Sequence, residues 1–269
     1  MPSALDSAAV TAALRAAVGR RLGRVVVVER TGSTSADLVA QPALPDWSVV
    51  VADHQVAGRG RAGRSWTTSP REALTLSVLL RPQVPVDRFG WLPLLGGLAV
   101  VGALEAFGVG AVLKWPNDVL VATSGPDLPG WGRWRKVAGV LGEVAGTAVV
   151  VGIGVNVAQR TLPVPTATSL ALVGAEVDRT QLLATLLGAL AALDDRWRAT
   201  AGDAEAAGLA AECAHACVTL GTDVRVLLPG GRELSGRATG LGADGALQVV
   251  DLSGQEHTVL AGDIEHLRR

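Results

Sequence analysis

The chain has 269 residues, 49% hydrophobic and 18% charged, which is typical of a folded globular protein and excludes a disordered one. A formal net charge of -1 gives no overall attraction to nucleic acid or to an anionic membrane. The N-terminal basic residues follow an Ala-rich run, the reverse of a signal peptide, and Gly, Pro or charges interrupt every candidate membrane span. We therefore expect a cytoplasmic protein without membrane contact.

The first part of the chain mixes helical and strand patterns. A hydroxyl of Ser33 or Thr34 can cap a short helix that begins near Ala36, because it accepts from free N–H groups of the first turn. The polar, Gly-rich run over 55–70 shows neither the helical nor the strand pattern of apolar residues. The other predicted elements are helices over 3–18 and 86–107 and strands over 24–30, 47–53 and 73–80.

The middle of the chain predicts one sheet followed by helices. Strands are expected over 109–113, 118–122, 136–144 and 147–155, with a connector over 124–135 that joins the second strand to the third, and helices over 179–198 and 205–216. From Val218 onward the pattern changes to short β runs separated by Gly-rich turns. The sequence thus predicts an α+β fold with two domains, residues 1–217 and a small β-barrel over 218–269.

Two cysteines, Cys213 and Cys217, fall in a helical pattern and imply no disulfide framework. His215 lies between them but points off their shared face, and a fourth ligand is missing. We expect two small core residues and no protein-held metal site.

The segment from Gln55 to Trp66 combines three glycines, three arginines and a tryptophan. It contains GxGxxG, but a strand pattern follows it instead of the helix that a dinucleotide-binding turn needs. Arginines bind phosphate and carboxylate oxygens, and a tryptophan offers a face on which a purine can stack. A mobile anion-binding loop with an adenine platform is therefore favoured over a plain solvated turn.

Two lysines lie within otherwise apolar strands. Lys114 opens Lys-Trp-Pro-Asn-Asp118, and Lys136 opens Lys-Val-Ala-Gly139. An unpaired ammonium is costly in such surroundings, so function is favoured over surface charge for both. A further apolar strand ends at Asn156, whose amide can hydrogen-bond a ligand, although by itself that strand would be assigned to the core.

In order, the motifs GSTS, QVAGRGRAGRSW, KWPNDV, KVAGVLGE and VVVGIGVNV closely resemble those of the biotin protein ligases, over roughly residues 25–157. The C-terminal β segment also resembles the SH3-like module of that family. The resemblance implies a mixed-sheet catalytic domain like that of class II aminoacyl-tRNA synthetases. It also implies ATP-dependent activation of biotin to biotinyl-5'-AMP, with Mg²⁺, and transfer to a lysine of the biotin carboxyl carrier domain of an acyl-CoA carboxylase.

The resemblance also implies roles for individual residues. Those expected to bind biotin are Ser33, Thr34, Gln55, Gly58, Arg59, Arg61, Lys136 and Gly139. Those expected to bind ATP are Arg61, Trp66, Lys114, Asn117 and Asn156. Those expected to be catalytic are Lys136, Arg61, Lys114 and Asp118, with the division of roles between Lys114 and Asp118 left open.

The sequence departs from the family pattern in two places. No DNA-binding helix pair precedes the first strand, so a repressor role and DNA binding are not expected. The connector over 124–135 is long, and its tryptophans, Trp131 and Trp134, receive no role. Alternatives are a lipoate ligase or octanoyltransferase of the same superfamily and a non-catalytic biotin or nucleotide sensor. A homodimer is left open.

Overall fold

The computed structural model describes residues 2–228, 230–260 and 262–267. A seven-stranded mixed sheet in the order β1-β2-β5-β9-β8-β7-β6 forms its centre, and a two-stranded hairpin, β3–β4, stands apart from it. The strands are β1 Val25–Thr31, β2 Ser48–Gln55, β3 Gly58–Arg59, β4 Ser65–Trp66, β5 Ala73–Leu80, β6 Ala111–Lys114, β7 Asp118–Ala122, β8 Trp134–Ala145 and β9 Ala148–Asn156. β1 and β2 are parallel, and the other neighbours in the large sheet are antiparallel.

The helices surround this sheet. They are α1 Ser7–Val18, α2 Thr34–Val39, α3 Trp91–Ala106, α4 Arg179–Ala199 and α5 Leu209–Ala216. The sheet separates two apolar clusters, because successive strand residues point to opposite faces. Val49 and Val51 belong to the large cluster that includes α1, α3 and α4, whereas Val50 packs with Leu38 of α2. Together with α5, whose Leu209 and Cys213 join the large cluster, these three helices pack on one face, and the short α2 lies on the other.

The apolar helix α3 packs tightly on the sheet. A Cβ at Gly96 would lie 2.9 Å from Val140, and one at Gly97 would lie 2.8 Å from Leu113, so these glycines permit the close approach. Residues 86–106 are long and apolar enough to cross a membrane by length and composition, but 61% of that window is buried inside the protein. This degree of burial is typical of a helix in the core of a folded domain.

The C-terminal residues form a five-stranded antiparallel sheet in the order β13-β12-β11-β10-β14. Its strands are β10 Asp223–Leu227, β11 Glu233–Leu241, β12 Leu247–Asp251, β13 Glu256–Val259 and β14 Asp263–His266. The turn after β11 contacts α3 and the turn after β6: the indole of Trp91 in α3 donates to the Ala243 carbonyl, and that of Trp115 after β6 donates to the Gly245 carbonyl. The mixed α+β fold predicted from the sequence is confirmed.

Several predicted boundaries are wrong for local reasons. The first helix begins at Ser7 instead of residue 3, because the Asp6 carboxylate caps it by accepting from the Ala9 N–H at 2.7 Å. The helix predicted over 86–107 is split into a 3-10 turn, Val86–Arg88, and α3. The last helix begins at Leu209, directly after Gly208 in the left-handed conformation.

The polar run over 55–70 also differs from its predicted structure, since it contains the β3–β4 hairpin. Further along, Cys213 and Cys217 are buried, as expected for core residues. Burial raises the pKa of the Cys213 thiol to about 12, and neighbouring Cys217 and Glu212 act in the same direction.

Candidate active site

A cavity of about 1190 Å³ opens on the α2 face of the large sheet. Its walls come from the start of α2, strands β5, β8 and β9, the β3–β4 hairpin, the turn after β6, the connector and β14. A volume of this size exceeds the usual range for one small molecule and can hold two ligands side by side. The predicted site residues that line it are Ser33, Thr34, Gln55, Arg59, Arg61, Trp66, Lys114, Asn117, Asp118, Lys136, Gly139 and Asn156.

Buried hydroxyl and amide groups form one end of the cavity. Ser33 caps α2 by accepting from the Ala36 N–H. The side-chain amide oxygen of Gln55 accepts from both the backbone N–H and the hydroxyl of Thr34, at 2.9 and 3.2 Å. The Thr34 hydroxyl also lies 2.8 Å from that of Ser77, which contacts Ser35 at 2.9 Å. This network fixes the orientation of the polar groups before any ligand arrives.

Gly58 is the one predicted site residue that does not line the cavity. A Cβ at this position would lie 2.1 Å from the Gln55 amide nitrogen and 2.4 Å from the Trp66 carbonyl oxygen. The close approach expected here is therefore made by the protein's own Gln55 and Trp66. Gly58 shapes the cavity indirectly, by letting the hairpin lie against Gln55.

Trp66 lies on a patch of sheet that has no side chains. Gly139 of β8 and Gly154 of β9 are direct cross-strand partners. A Cβ at Gly154 would lie 2.6 to 2.8 Å from atoms of the Trp66 indole, and one at Gly139 would lie 3.5 Å from it. The two glycines thus provide the space that the indole occupies, and the half-buried Trp66 forms part of the cavity wall.

Two lysines and an aspartate form the charged centre of the cavity. The tight β6–β7 hairpin places Lys114 opposite Asp118, and the Asp118 carboxylate forms an ion pair with Lys136 Nζ at 2.5 Å. Lys136 Nζ also lies 5.6 Å from the centroid of a Trp66 ring. Lys114 is only 7% exposed. Burial lowers the pKa of the Lys114 ammonium and Lys136 lowers it further, while Asp118 opposes the shift.

The arginines of the hairpin lie at the cavity mouth. Arg64 pairs with Asp263 of β14 at 2.5 Å, and Arg59 lies 3.8 Å from Glu143, both in exposed positions. Arg61 is partly buried, and burial lowers its pKa, whereas Asp263 and Asp118 raise it. A guanidinium remains charged despite such a shift. The loop therefore places cations around the cavity mouth and makes contact with the C-terminal sheet.

The side chains of the two cavity asparagines, Asn117 and Asn156, are both hydrogen-bonded within the protein. The Asn117 amide donates to the Val140 carbonyl at 2.9 Å, which fixes the turn after β6. The Asn156 amide donates to the Thr168 carbonyl, and its oxygen accepts from Gln159. Both side chains therefore hold neighbouring cavity residues in place.

Sequence reasoning missed several residues that line the cavity. Gln159 is 4% exposed, and the oxygen of its side-chain amide has no hydrogen-bond partner among the described residues. The Trp66 indole N–H and the Thr68 hydroxyl are likewise unpartnered within the described chain. Other missed lining residues are Ser35, Trp131, Leu227, Asp263 and Glu265. No local pattern marks the last three, because they come from the C-terminal sheet.

Comparison with known proteins places this cavity in a family. Residues 22–158 match the model of the Biotin/lipoate A/B protein ligase family, and residues 219–267 match the Biotin protein ligase C terminal domain. The Biotin--[acetyl-CoA-carboxylase] ligase of Mycobacterium tuberculosis is 41% identical over 252 residues, covering 90% of this chain and 88% of that protein. The Bifunctional ligase/repressor BirA of Bacillus spizizenii is 32% identical over 199 residues, covering 69% and 58% respectively.

A solved structure agrees with these sequence matches. The biotin protein ligase from Aquifex aeolicus in complex with biotin and ATP aligns with a TM-score of 0.72 at 28% identity. The alignment covers 91% of this chain and 99% of that one. The likeness therefore extends over both the large sheet and the C-terminal sheet.

Proposed function

Since the chain belongs to the biotin protein ligase family, we propose that its cavity activates biotin with ATP and transfers it to a lysine of a carboxylase carrier domain. One observation carries this assignment: Lys136, Asp118 and Lys114 line the same cavity as a hydrogen-bonding end and the Trp66 indole. Two ligands bound in this cavity can meet at the lysines. A carboxylate and a triphosphate need such fixed positive charge in order to react.

The hydrogen-bonding end is proposed to bind the ring system of biotin. Ser33, Thr34 and Gln55 are buried there; the Thr34–Gln55 and Thr34–Ser77 hydrogen bonds hold the last two, and Ser33 accepts from the Ala36 N–H. A site whose polar groups are already oriented discriminates strongly, because a ligand without matching groups leaves them unpaired. This end should therefore favour the cyclic urea of biotin over the purely apolar chain of octanoate.

The lysines and Arg61 are proposed to support the first chemical step. A biotin carboxylate oxygen attacks the α-phosphorus of ATP, the bond to the bridging oxygen breaks, and pyrophosphate leaves with the electron pair. Negative charge grows on the phosphate oxygens, so the Lys136 ammonium and the Arg61 guanidinium stabilise the transition state. Asp118 orients Lys136 through their 2.5 Å contact. Lys114 faces the nucleotide phosphates, and Arg59 adds charge at the cavity mouth.

Transfer to the carrier is proposed to follow in the same cavity. The amine of the incoming lysine attacks the biotinyl carbonyl carbon, an amide bond forms, and AMP leaves with the electrons of the acyl–oxygen bond. The amine releases its proton as the amide forms. Closure of the β3–β4 hairpin over the mixed anhydride excludes the water that would hydrolyse it.

Trp66 is proposed to stack on adenine, as its position on the Gly139–Gly154 patch allows. Three cavity-lining residues, Trp66, Thr68 and Gln159, each have a buried polar group without a partner in the described chain. A bound nucleotide or a water molecule beside it can form hydrogen bonds with these groups. Asn156 holds Gln159 in place there through their 3.0 Å hydrogen bond. The nucleotide end is thus built mainly from the hairpin and the end of β9.

Mg²⁺ is proposed to enter with ATP. The described residues contain no group of three or more His, Cys, Asp or Glu side chains that could hold a metal ion. Asp118 nevertheless places a carboxylate beside the two lysines, and Mg²⁺ bound to nucleotide phosphates commonly takes one or two carboxylates. The donor set therefore fits a metal carried by the nucleotide, which neutralises phosphate charge when bound.

The biological setting belongs to the same proposal. Residues 1–217 act as the catalytic domain and residues 218–269 as an SH3-like domain. The acceptor is the biotin carboxyl carrier domain of an acyl-CoA carboxylase, as the name of the Mycobacterium tuberculosis relative suggests. The enzyme works in the cytoplasm, without DNA or membrane as a partner, and dimer formation is open to measurement by sedimentation.

The deciding experiment measures pyrophosphate release from MgATP when biotin, lipoate or octanoate is added to the purified enzyme. We expect release with biotin alone, followed by biotin incorporation into an added carrier domain. Equal release with lipoate would favour the lipoate ligase alternative. Biotin binding without pyrophosphate release would instead identify a non-catalytic sensor.

A further inference from the structure

Lys114 carries a buried charge whose ammonium forms no close ion pair or hydrogen bond in the described part of the chain, although the carboxylates of Asp118 and Asp263 act on it from a distance. Its carboxylate neighbour Asp118 is engaged by Lys136 at 2.5 Å. With 7% of its surface exposed, the Lys114 side chain loses most of its hydration, and its pKa falls for that reason. An ammonium in this state is costly unless other groups stabilise it.

The group in direct contact with the Lys114 ammonium is Trp131 of the connector. Lys114 Nζ lies 3.9 Å from the centroid of a Trp131 ring, which is the geometry of a cation–π contact. Tryptophan is the strongest aromatic partner for a cation, and the interaction grows as water is excluded. Both residues line the cavity. The contact therefore fixes the position of a charge inside the proposed site.

The connector is built to hold Trp131 in place. Gly130 and Gly132 flank it and adopt positive φ angles of 70° and 54°, which give the chain a tight turn. The Leu128 carbonyl accepts from the N–H groups of both Trp131 and Gly132. The buried guanidinium of Arg135 donates to the carbonyls of Pro126, Gly132 and Trp134. The connector is thus organised from inside by one arginine.

The C-terminal sheet supports the same turn from outside. A Cβ at Gly130 would lie 3.3 Å from the side chain of Glu265 in β14. The turn that carries Trp131 is therefore anchored by the buried Arg135 and lies close to β14. A loop tip fixed in this way can impose a position on Lys114.

We propose that Trp131 is a positioning residue for ATP, which holds the Lys114 ammonium toward the nucleotide phosphates through its aromatic face. The inference rests on the proposed function, because it takes the ligand anion to be the phosphates of MgATP. It extends that function to the connector, a segment with no role in the residue assignments above. Trp131 acts through Lys114 and touches no reacting atom.

The test is a double-mutant cycle on the full-length enzyme with Trp131→Leu, Lys114→Met and the pair. Leucine keeps apolar bulk without an aromatic face, and methionine keeps the lysine stem without its charge. Calorimetry with a non-hydrolysable MgATP analogue gives affinity without turnover, and calorimetry with biotin gives the comparison. Thermal unfolding shows whether each variant is folded.

We expect Trp131→Leu to weaken nucleotide affinity about 5- to 30-fold, the change that about 1 to 2 kcal/mol produces. Biotin affinity should stay within about twofold, and Trp131→Phe should restore part of the loss. In the Lys114→Met background the Trp131 substitution should have no further effect, since its role acts through that ammonium. This non-additivity separates positioning from a general structural role.

Trp134→Leu is the matched control. Trp134 begins β8, pairs with Ala122, stacks with Arg133 at 5.6 Å and does not line the cavity. An equal loss in Trp134→Leu, or an equal loss with and without Lys114, would overturn the proposal. Tighter nucleotide binding by Trp131→Leu would also overturn it, because Trp131 would then compete with phosphate. Wild-type failure to release pyrophosphate refutes the proposed function separately, while the affinity cycle still reports on Trp131.

Discussion

Gly139 and Gly154 face each other across strands β8 and β9, and the Trp66 indole lies over both of them. The pair leaves a gap in an otherwise apolar sheet that accommodates an aromatic ring. A side chain at either position would occupy that space. The arrangement explains why two glycines stand in strands where glycine by itself weakens the structure.

Gly154→Ala tests this arrangement. The new methyl group would lie 2.6 to 2.8 Å from the Trp66 indole, so the ring must shift. We expect weaker ATP binding with little change in biotin affinity, as measured by calorimetry. Gly146→Ala is no suitable control because that glycine has a positive φ, whereas Gly110→Ala meets nothing within 4 Å and should bind ATP normally. Unchanged ATP affinity in Gly154→Ala would show that the position of Trp66 is unimportant.

Trp66→Ala removes the proposed adenine platform. Stacking on an aromatic face is worth roughly 1 to 3 kcal/mol per base, so ATP affinity should fall by about 5- to 150-fold. Biotin affinity should change far less, because the biotin end is built from Ser33, Thr34 and Gln55. Equal weakening of both ligands would instead make Trp66 a structural residue of the hairpin.

Lys136→Met keeps the lysine stem but removes its charge. Loss of one preorganised donor typically lowers a rate by about 100- to 1,000-fold, and we expect that loss in biotin-dependent pyrophosphate release. The fold should persist, which circular dichroism can show. Lys136→Arg, which retains charge, should recover some activity. Near-normal release by Lys136→Met would remove Lys136 from the proposed mechanism.

The β3–β4 hairpin should be cut by trypsin in the free enzyme and protected by biotin with ATP. The pairs Arg64–Asp263 and Arg59–Glu143 are exposed, and such pairs contribute only about 0 to 1 kcal/mol each. They therefore hold the hairpin weakly. Ligand anions can add charge-assisted hydrogen bonds of roughly 1.5 to 3 kcal/mol each. Equal cleavage after Arg59, Arg61 or Arg64 with and without ligands would indicate that no ligand-dependent closure occurs.

Asp194 is predicted to stabilise the helical layer without affecting catalysis. Its carboxylate is fully buried, accepts from the Trp47 indole and lies 2.8 Å from Arg198 and 3.6 Å from Arg21. Breaking a buried pair costs about 3 to 5 kcal/mol, so Asp194→Ala should lower the free energy of unfolding by that amount. Asp195→Ala is the matched control, since Asp195 is 68% exposed and should cost at most about 1 kcal/mol. Urea unfolding measures both variants. Equal losses of unfolding free energy in Asp194→Ala and Asp195→Ala would contradict a stabilising role for the buried Asp194 carboxylate.

Local chemistry made much of the fold predictable. The apolar runs of β1, β2 and β5 and the cap at Ser33 lie within single segments, and β5 was predicted over the residues that form it. Helix α4 was predicted to within one residue of its observed end. Boundaries failed where a competing local group intervened, as at Asp6 and Gly208. These patterns depend on neighbours along the chain and can be read without the tertiary structure.

The sequence by itself determined the residue types of the cavity, the order of their motifs and the family that they resemble. Only the tertiary structure decided which groups meet, because contacts such as Gly139 with Gly154, Trp131 with Lys114 and Arg64 with Asp263 depend on strand register and on docking of the C-terminal sheet. Because of the same packing, Gly58 does not line the cavity, whereas Trp131 does. A side chain's partners across a sheet are set by the global arrangement of strands, which no single segment encodes.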